Sequence, residues 1–226
     1  MKRKRFLLKQ VRKQLIIPLL ISTFLLAGCH HIVKEYYPSG KQMTQKTYKG
    51  KMLDGSLIMW YASGVIKQKA VYHNDKLEGP LECWYATGDK ELEEMYTNGL
   101  RNGRSRKWDE QGTLLEEKNY RNEKLDGSYK MWFPTGILKI DGYYRSGLFQ
   151  GKWQYFSEVA LKVGEGNFVN GTGVLIGFDA MGKKNHEVNF AKNKKQGNEI
   201  EYNPDGSIKE TKVFDQDRIV KVIKGN

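Results

Sequence analysis

The sequence is poor in the residues that build metal and redox sites, with two cysteines and four histidines among 226 residues. It has no HExxH motif, no CxxC pair and no EF-hand loop, so it predicts no metal site. Serine-nucleophile, phosphate-binding and dinucleotide-binding motifs are also absent. Aspartate and glutamate are abundant, but they recur at expected turn and surface positions, and no two stand out as a catalytic pair. We therefore expect a protein that is not an enzyme and has no cofactor.

The two cysteines leave little room for a disulfide. If Cys29 carries a lipid, as argued below, Cys83 is the one thiol left in the mature chain, and no disulfide can form within it. Cys83 lies in the apolar stretch 81–85. A small buried side chain is the preferred interpretation, and a reactive thiol is the alternative.

Acidic residues are missing from the first 28 positions, which hold seven basic ones. The formal charge of +12 therefore comes largely from the N-terminus. The rest of the chain has 31 basic and 26 acidic residues, a net charge of +5. It shows no basic stripe and no zinc-finger spacing, so we do not expect nucleic-acid binding.

No apolar run reaches the roughly 20 residues that a transmembrane helix needs. Residues 1–14 form a basic region and residues 15–26 an apolar region, which together are typical of a secretory signal peptide. The following tetrapeptide, Leu26-Ala27-Gly28-Cys29, resembles the lipobox of bacterial lipoproteins. The resemblance implies that residues 1–28 are removed. It also implies that the Cys29 sulfur carries a diacylglyceryl group, and that the new amino terminus usually receives an acyl chain such as palmitate.

Two or more acyl chains hold a protein firmly on a bilayer. We therefore expect a cell-envelope lipoprotein anchored at Cys29, with residues 29–35 as a short tether. The alternative is an uncleaved N-terminal membrane anchor, in which Cys29 has no role. By analogy with Gram-negative lipoproteins, the absence of aspartate at position 30, where His30 stands, would allow sorting to the outer membrane, facing the periplasm or the cell surface.

One repeat accounts for most of the remaining chain. With Gly55 as position zero, equivalent glycines follow at spacings of 24, 24, 24, 24, 22 and 24 residues. Aromatic residues stand five and seventeen positions after each of these glycines, and another glycine stands nine positions after each, except at Ala160. The position-zero glycines are Gly55, Gly79, Gly103, Gly127, Gly151, Gly173 and Gly197. The first aromatic column is Trp60, Trp84, Trp108, Trp132, Phe156, Phe178 and Tyr202, and the second is Tyr72, Tyr96, Tyr120, Tyr144, Phe168, Phe190 and Phe214.

Each unit predicts a β-hairpin. Turn signals such as the Pro-Thr-Gly of residues 134–136 occur twice per unit and leave runs of about 6–9 residues between them, which suits strands better than helices. Stacked hairpins can cover one another's aromatic residues. The expected fold is therefore all-β: an elongated single-layer antiparallel sheet of about eight hairpin repeats over residues 36–219, the first truncated, with residues 220–226 as a C-terminal tail.

The units resemble the bacterial variant of the MORN repeat, most clearly in DGSLIMWYASG at residues 54–64 and DGSYKMWFPTG at residues 126–136. The resemblance covers roughly residues 36–219. It implies a MORN-like array that acts as a non-catalytic scaffold, binding proteins or lying near membranes. Many bacterial members are labelled antitoxins, which implies an immunity protein against a specific toxin as the alternative function.

The repeat weakens between residues 157 and 177, where one unit is two residues short and five glycines are crowded together. A decayed repeat is the preferred interpretation, and a bend or binding notch is the alternative. The aromatic columns are interpreted as core rather than as cages for choline or platforms for sugars.

Residues that depart from the column pattern are the best candidates for partner contacts, because the fold does not require them. Trp153, Tyr155, Phe149 and Arg104 are therefore the predicted partner-binding residues. The sequence as a whole predicts a non-catalytic cell-envelope lipoprotein that acts as a protein-binding or scaffolding module. A protein is the expected partner, with lipid or glycan as further options, and an envelope hydrolase has no motif to support it.

Overall fold

The computed structural model describes residues 28–225, which form one open antiparallel sheet of seventeen strands. Every strand pairs with the next one along the chain, so the hairpin array predicted from the repeat is confirmed. The predicted signal peptide lies outside the described residues except for Gly28. The strands are β1 (His30–Tyr36), β2 (Gln42–Lys49), β3 (Met52–Trp60), β4 (Ile66–His73), β5 (Lys76–Trp84), β6 (Lys90–Thr97), β7 (Leu100–Trp108), β8 (Leu114–Arg121), β9 (Lys124–Trp132), β10 (Leu138–Arg145), β11 (Leu148–Phe156), β12 (Lys162–Val169), β13 (Thr172–Phe178), β14 (Lys184–Ala191), β15 (Lys194–Tyr202), β16 (Ile208–Asp215) and β17 (Arg218–Lys224).

The sheet extends beyond the limits predicted for the array at both ends. Residues 30–35, expected to be a tether, form most of β1, and much of the expected tail forms β17. Neither segment contains the glycine and aromatic columns of the repeat, so the period could not reveal them. Their β-branched residues, such as Val33 and Val222, favour strands. Because β1 and β17 each have one neighbour, their side chains are mostly exposed.

Two kinds of turn alternate along the chain and lie on opposite edges of the sheet. Turns of two residues join each even-numbered strand to the next strand; Asn74 and Asp75, for example, both have positive φ (49° and 63°). This conformation is that of a type I′ turn, whose twist matches that of the flanking strands. Turns of five residues close the hairpins on the other edge, as between Tyr85 and Asp89, where the Tyr85 amide donates to the Asp89 carbonyl at 2.9 Å.

Neighbouring units are joined by hydrogen bonds at the five-residue turns. The Tyr61 hydroxyl donates to the Trp84 carbonyl at 2.8 Å. The Tyr85 hydroxyl makes the same bond to Trp108, also at 2.8 Å. At the equivalent position in the next two turns stand Asp109 and Phe133, which have no hydroxyl to donate. This connection between units is therefore a feature of the N-terminal half of the array.

Bulges in the odd-numbered strands explain the position-zero glycine. Gly127 has a φ of 127°, a conformation that residues with a side chain rarely adopt. A Cβ atom there would also lie 2.8 Å from the Cβ of Asn119 on the neighbouring strand. The glycine is thus required both by the backbone angle and by the close approach of β8.

The 22-residue unit has lost this bulge and has kept its turns. Val169 pairs with Thr172 and Phe168 pairs with Gly173, and the register between β12 and β13 then continues without a shift. Removing two residues from the unit leaves the side chains that follow on the same faces of the sheet, because strand side chains alternate with a period of two. Ala160 adopts the φ of the turn glycine it replaces, at 60°. The unit predicted to be decayed is a complete hairpin.

The two aromatic columns lie on opposite faces of the sheet. Paired residues share a face, and Leu57 pairs with Ala70 while Gly55 pairs with Tyr72. We call this face, which carries the column that ends at Phe214, the inner face. Trp60 comes three residues after Leu57 in β3, so its side chain lies on the other face, where it pairs with Ile66. We call this second face the outer face. The five buried apolar side chains within residues 28–225 all belong to the inner face: Ala70, Trp153, Phe168, Val188 and Phe214.

Candidate partner-binding surface

Trp153, predicted to contact a partner, belongs instead to the core. Its side chain is 2% exposed, and its ring centroid lies 4.7 Å from that of Phe149 and 5.0 Å from that of Tyr144. The indole nitrogen donates to the Tyr143 carbonyl at 3.2 Å. The ring is thus enclosed and its one polar atom is satisfied, so Trp153 is not available to a partner on the folded sheet.

Glycines make the space that Trp153 occupies. On one side it pairs with Gly166 of β12, and on the other its indole ring lies where a Cβ of Gly142 would be. Tyr155 pairs in the same way with Gly164. Trp153 and Tyr155 are larger than the repeat requires, and the residues opposite them on β12 are glycines. A large ring on one strand fills the space that a glycine leaves on the next, because protein interiors are packed to a nearly constant density.

Phe149 and Tyr155 are partly buried beside Trp153. The Phe149 ring also packs on Phe168, with centroids 5.3 Å apart. Burial raises the pKa of the Tyr155 phenol to about 12. Both side chains lie on the inner face with the core rings, so the structure gives them a packing role and leaves little surface for a partner.

Arg104, the fourth predicted residue, is exposed on the outer face, where it pairs with Asn119. It belongs to a continuous row of cross-strand pairs that runs along the array. We call these pairs the outer row: Ser56–Val71, Pro80–Met95, Arg104–Asn119, Ser128–Tyr143 and Lys152–Asn167. The row crosses ten strands from β3 to β12, which at the usual strand spacing is roughly 40 Å.

Three large side chains of the outer row are well exposed. Val71 is 42%, Met95 38% and Tyr143 41% exposed. Each occurs sixteen positions after a position-zero glycine, in a column that also contains three asparagines, so the repeat does not require an apolar residue there. Tyrosine, methionine and arginine are enriched at protein interfaces. The row therefore offers spaced contact points that the fold itself does not use.

An open hollow of about 620 Å³ lies at the C-terminal end of the outer row. It is lined by Lys152, Glu165, Gly166, Asn167, Gly173, Val174 and Ile176. The hollow lies where the glycines are crowded, and Gly166 itself serves the packing of the inner face opposite Trp153. Its lining mixes one basic, one acidic and two aliphatic side chains.

The tryptophan column borders the outer row, and two of its rings, Trp84 and Trp108, are covered by cations. The ammonium of Lys90 lies 5.8 Å from the Trp84 ring and 5.9 Å from the Trp108 ring, and the Arg106 guanidinium is 5.4 Å from Trp108. Such contacts stabilise the rings and shield their faces. The same cations form ion pairs, since Arg106 and Lys90 both contact Glu93. Trp84 and Trp108 accordingly have a structural role.

The predicted lipid-attachment residue, Cys29, is exposed and immediately precedes β1. Next to it, His30 Nε2 lies 3.1 Å from Asp54 Oδ1, and His73 Nδ1 lies 3.2 Å from Asp54 Oδ2. The hydrogen bond from His30 lowers the pKa of Asp54. These contacts fix the start of the sheet, so Cys29 projects from a defined position on the array.

Cys83 is half-buried on the inner face. Burial, with a smaller contribution from Glu91, raises the pKa of its thiol. A raised pKa lowers the fraction of thiolate, the reactive form. This favours the packing role over the reactive one.

Two kinds of site are absent from the part of the chain that the structure describes. Residues 28–225 contain no group of three or more His, Cys, Asp and Glu side chains placed to hold a metal ion. Over the same residues, no helix has the length and apolar character to cross a bilayer.

Comparison with known proteins supports the repeat. The model of the MORN repeat variant matches residues 53–74, 101–122 and 125–146, which correspond to β3–β4, β7–β8 and β9–β10. A search of curated proteins gave no match to this chain. MORN repeats are commonly non-catalytic modules that bind proteins or membranes.

Proposed function

We propose that this MORN-repeat chain is a non-catalytic cell-envelope lipoprotein, tethered through Cys29, whose outer row binds a partner protein. The observation that carries the proposal is the outer row itself. It places exposed aliphatic, tyrosine and arginine side chains on one face of the sheet, in places where neither the repeat nor the core needs them.

The shape of the surface supports binding more than catalysis. Active sites need convergent groups held within reach of a reacting atom, whereas the outer row distributes its side chains over roughly 40 Å at the usual strand spacing. Interfaces concentrate their affinity in a few anchors, and tyrosine and arginine are common among them. Tyr143 and Arg104 are the anchors we propose, in place of Trp153, Tyr155 and Phe149.

Site-specific photo-crosslinking in cells tests the surface. A photoreactive amino acid at position 143 should give a discrete adduct in the envelope fraction, while the same group at Val159, which is 72% exposed on a five-residue turn, should not. The double variant Arg104→Ala/Tyr143→Ala should lose most of the captured partner in pull-down. The matched variant Arg121→Ala/Val169→Ala, also exposed, should retain it.

Two outcomes would contradict the proposal that the outer row binds the partner. Equal adducts at positions 143 and 153 would contradict the outer-row assignment, because position 153 is buried. Unchanged partner recovery with the Arg104→Ala/Tyr143→Ala variant would do the same. If the captured protein is a toxin whose activity the chain suppresses, the partner-binding role is specifically that of an immunity protein.

Labelling with a fatty-acid analogue tests the tether independently of the partner. The wild-type chain should carry the label and partition into the detergent phase. Cys29→Ser should remove both properties. A labelled Cys29→Ser variant would contradict the lipid attachment at this residue.

A further inference from the structure

Tyrosine rings lie between neighbouring five-residue turns at the N-terminal end of the array. Tyr37, Tyr61 and Tyr85 each begin such a turn, and each of these residues is half-buried. Each hydroxyl donates to the carbonyl of the tryptophan 23 residues farther along the chain, at 2.7–2.8 Å. Burial raises the pKa of Tyr61 and Tyr85, so their hydroxyl groups keep the proton that they donate. These units show that the frame of two turns accommodates a phenol ring.

The same backbone frame occurs near the C-terminal end of the array without the ring. Asp179 begins the corresponding turn, and its amide donates to the Lys183 carbonyl at 2.8 Å, the bond that also closes the turn at Tyr61. The Oδ1 atom of Asp179 accepts hydrogen bonds from the Met181 and Lys183 amides, both at 2.9 Å. The aspartate side chain is thus bonded to its own turn. The carbonyl 23 residues farther along, that of Tyr202, receives no hydroxyl from this turn.

An open hollow of about 650 Å³ lies between this turn and the next one, which begins at Asn203. We call it the turn hollow. Around Tyr61, the Lys67 ammonium lies 5.6 Å from the ring centroid, and the Trp84 carbonyl accepts the hydroxyl. The equivalents of these three residues line the turn hollow: Asp179, Asn185 and Tyr202. The turn hollow therefore lies where a tyrosine ring lies in the earlier units.

The aspartate is not the only feature that distinguishes this turn. Asp109 begins an equivalent turn and accepts hydrogen bonds from its amides in the same way. Two half-buried leucines, Leu114 and Leu115, follow that turn. At the turn hollow the same places hold Lys184 and Asn185, which are exposed. Asp109 therefore provides a control with the same residue and different surroundings.

We propose that the turn hollow binds the phenol ring of a ligand, and that the hydroxyl of this ring donates to the Tyr202 carbonyl. The ligand is either a tyrosine side chain or a small phenolic compound, and its ring takes the place that Tyr61 takes within its own unit. Both flanking turns are closed by backbone hydrogen bonds, and the Lys183 ammonium links them by donating to the Pro204 carbonyl at 3.4 Å. A preformed site of this kind loses little free energy to ordering when the ring enters. The site shares no residue with the outer row and does not depend on a lipid at Cys29.

Amide chemical shifts of the isotope-labelled whole chain, held in detergent micelles, test the site. N-acetyltyrosinamide should shift the amides of the two turns, residues 179–183 and 203–207, with a millimolar dissociation constant. N-acetylphenylalaninamide differs only by the missing hydroxyl. It should bind about fivefold more weakly, because it cannot make the one hydrogen bond to the Tyr202 carbonyl.

Variants make the result specific to the turn hollow. Asp179→Tyr should place the chain's own ring there and abolish the ligand-induced shifts. Asp179→Ala removes the carboxylate without filling the space, so it should keep them. Asp109→Tyr makes the same exchange at the control turn and should also keep them.

A smaller pair of ligands separates the two sources of the ring. If 4-hydroxybenzyl alcohol shifts the two turns and N-acetyltyrosinamide does not, the site takes small phenolic compounds. If both shift them, a tyrosine side chain fits as well. Benzyl alcohol is the matched control for the smaller ligand.

Three outcomes would overturn the inference. The first is that neither phenol shifts the two turns. The second is equal affinity for N-acetyltyrosinamide and N-acetylphenylalaninamide, which would mean that the hydroxyl makes no bond. The third is persistence of the shifts in a folded Asp179→Tyr variant. The first two are read from the wild-type chain, so the test does not depend on whether a variant folds.

Discussion

At the scale of single residues, departures from the repeat have two different meanings. Trp153 departs from its column because the glycines opposite it leave room for an indole ring. Arg104 departs from its column on the exposed outer face, where packing makes no demand. The sequence distinguishes the two cases. In the strands beside Trp153, glycines stand at the inner-face positions and make room for the ring, whereas no glycine on a neighbouring strand makes room for Arg104.

A double-mutant cycle tests the ring-and-glycine packing. Gly142→Ala should lower the free energy of unfolding by about 1–3 kcal/mol, because the added Cβ must displace the Trp153 ring. In a Trp153→Leu background, the same substitution should cost at least 1 kcal/mol less, within the usual range for coupled neighbours. Urea unfolding gives all four values. Equal costs in both backgrounds would show that the ring does not occupy this space.

At the scale of the turns, the sequence predicts the local conformation better than the contacts between units. Glycine and proline mark the turns, because their backbone preferences act locally. The hydrogen bond from Tyr61 to the Trp84 carbonyl depends on how the next hairpin is stacked, which no local preference specifies. The two-residue bulge is likewise not specified by local preferences. It shows in the sequence only as the difference between 24 and 22 residues.

The turn hydroxyl provides reciprocal substitutions. Tyr61→Phe should lower the free energy of unfolding by roughly 0.5–1.5 kcal/mol, the usual net value of one hydrogen bond. Phe133 occupies the equivalent position two units on from Tyr85, and Phe133→Tyr should raise stability by a similar amount, since its hydroxyl can reach the next unit's carbonyl. Thermal unfolding of the two variants measures both. A loss of stability in each would indicate that the hydroxyl position is not equivalent between units.

At the scale of the whole molecule, the fold was predictable and the proposed binding surface was not. The 24-residue period specifies strands, turns and their order, since each unit repeats the same local choices. The period does not say which face each column occupies, and the two aromatic columns lie on opposite faces. The outer row has no sequence pattern, because an exposed column is free to vary.

A linear array also predicts how the molecule responds to the loss of a unit. Deleting residues 103–126 removes one full period, joins Asn102 to Gly127, and allows Tyr85 to reach Trp132 in place of Trp108. Because each strand contacts mainly its sequence neighbours, the shorter chain should fold cooperatively. Its urea m-value should fall by roughly one eighth, since m follows the surface exposed on unfolding.

Deleting residues 103–114 instead removes most of β7 and leaves β6 to meet β8, two strands that both ran in the same direction in the original sheet. That chain should lose its cooperative transition. If both deletions reduced stability equally, the sheet would depend on contacts beyond neighbouring units, and a modular array would be the wrong description of this molecule.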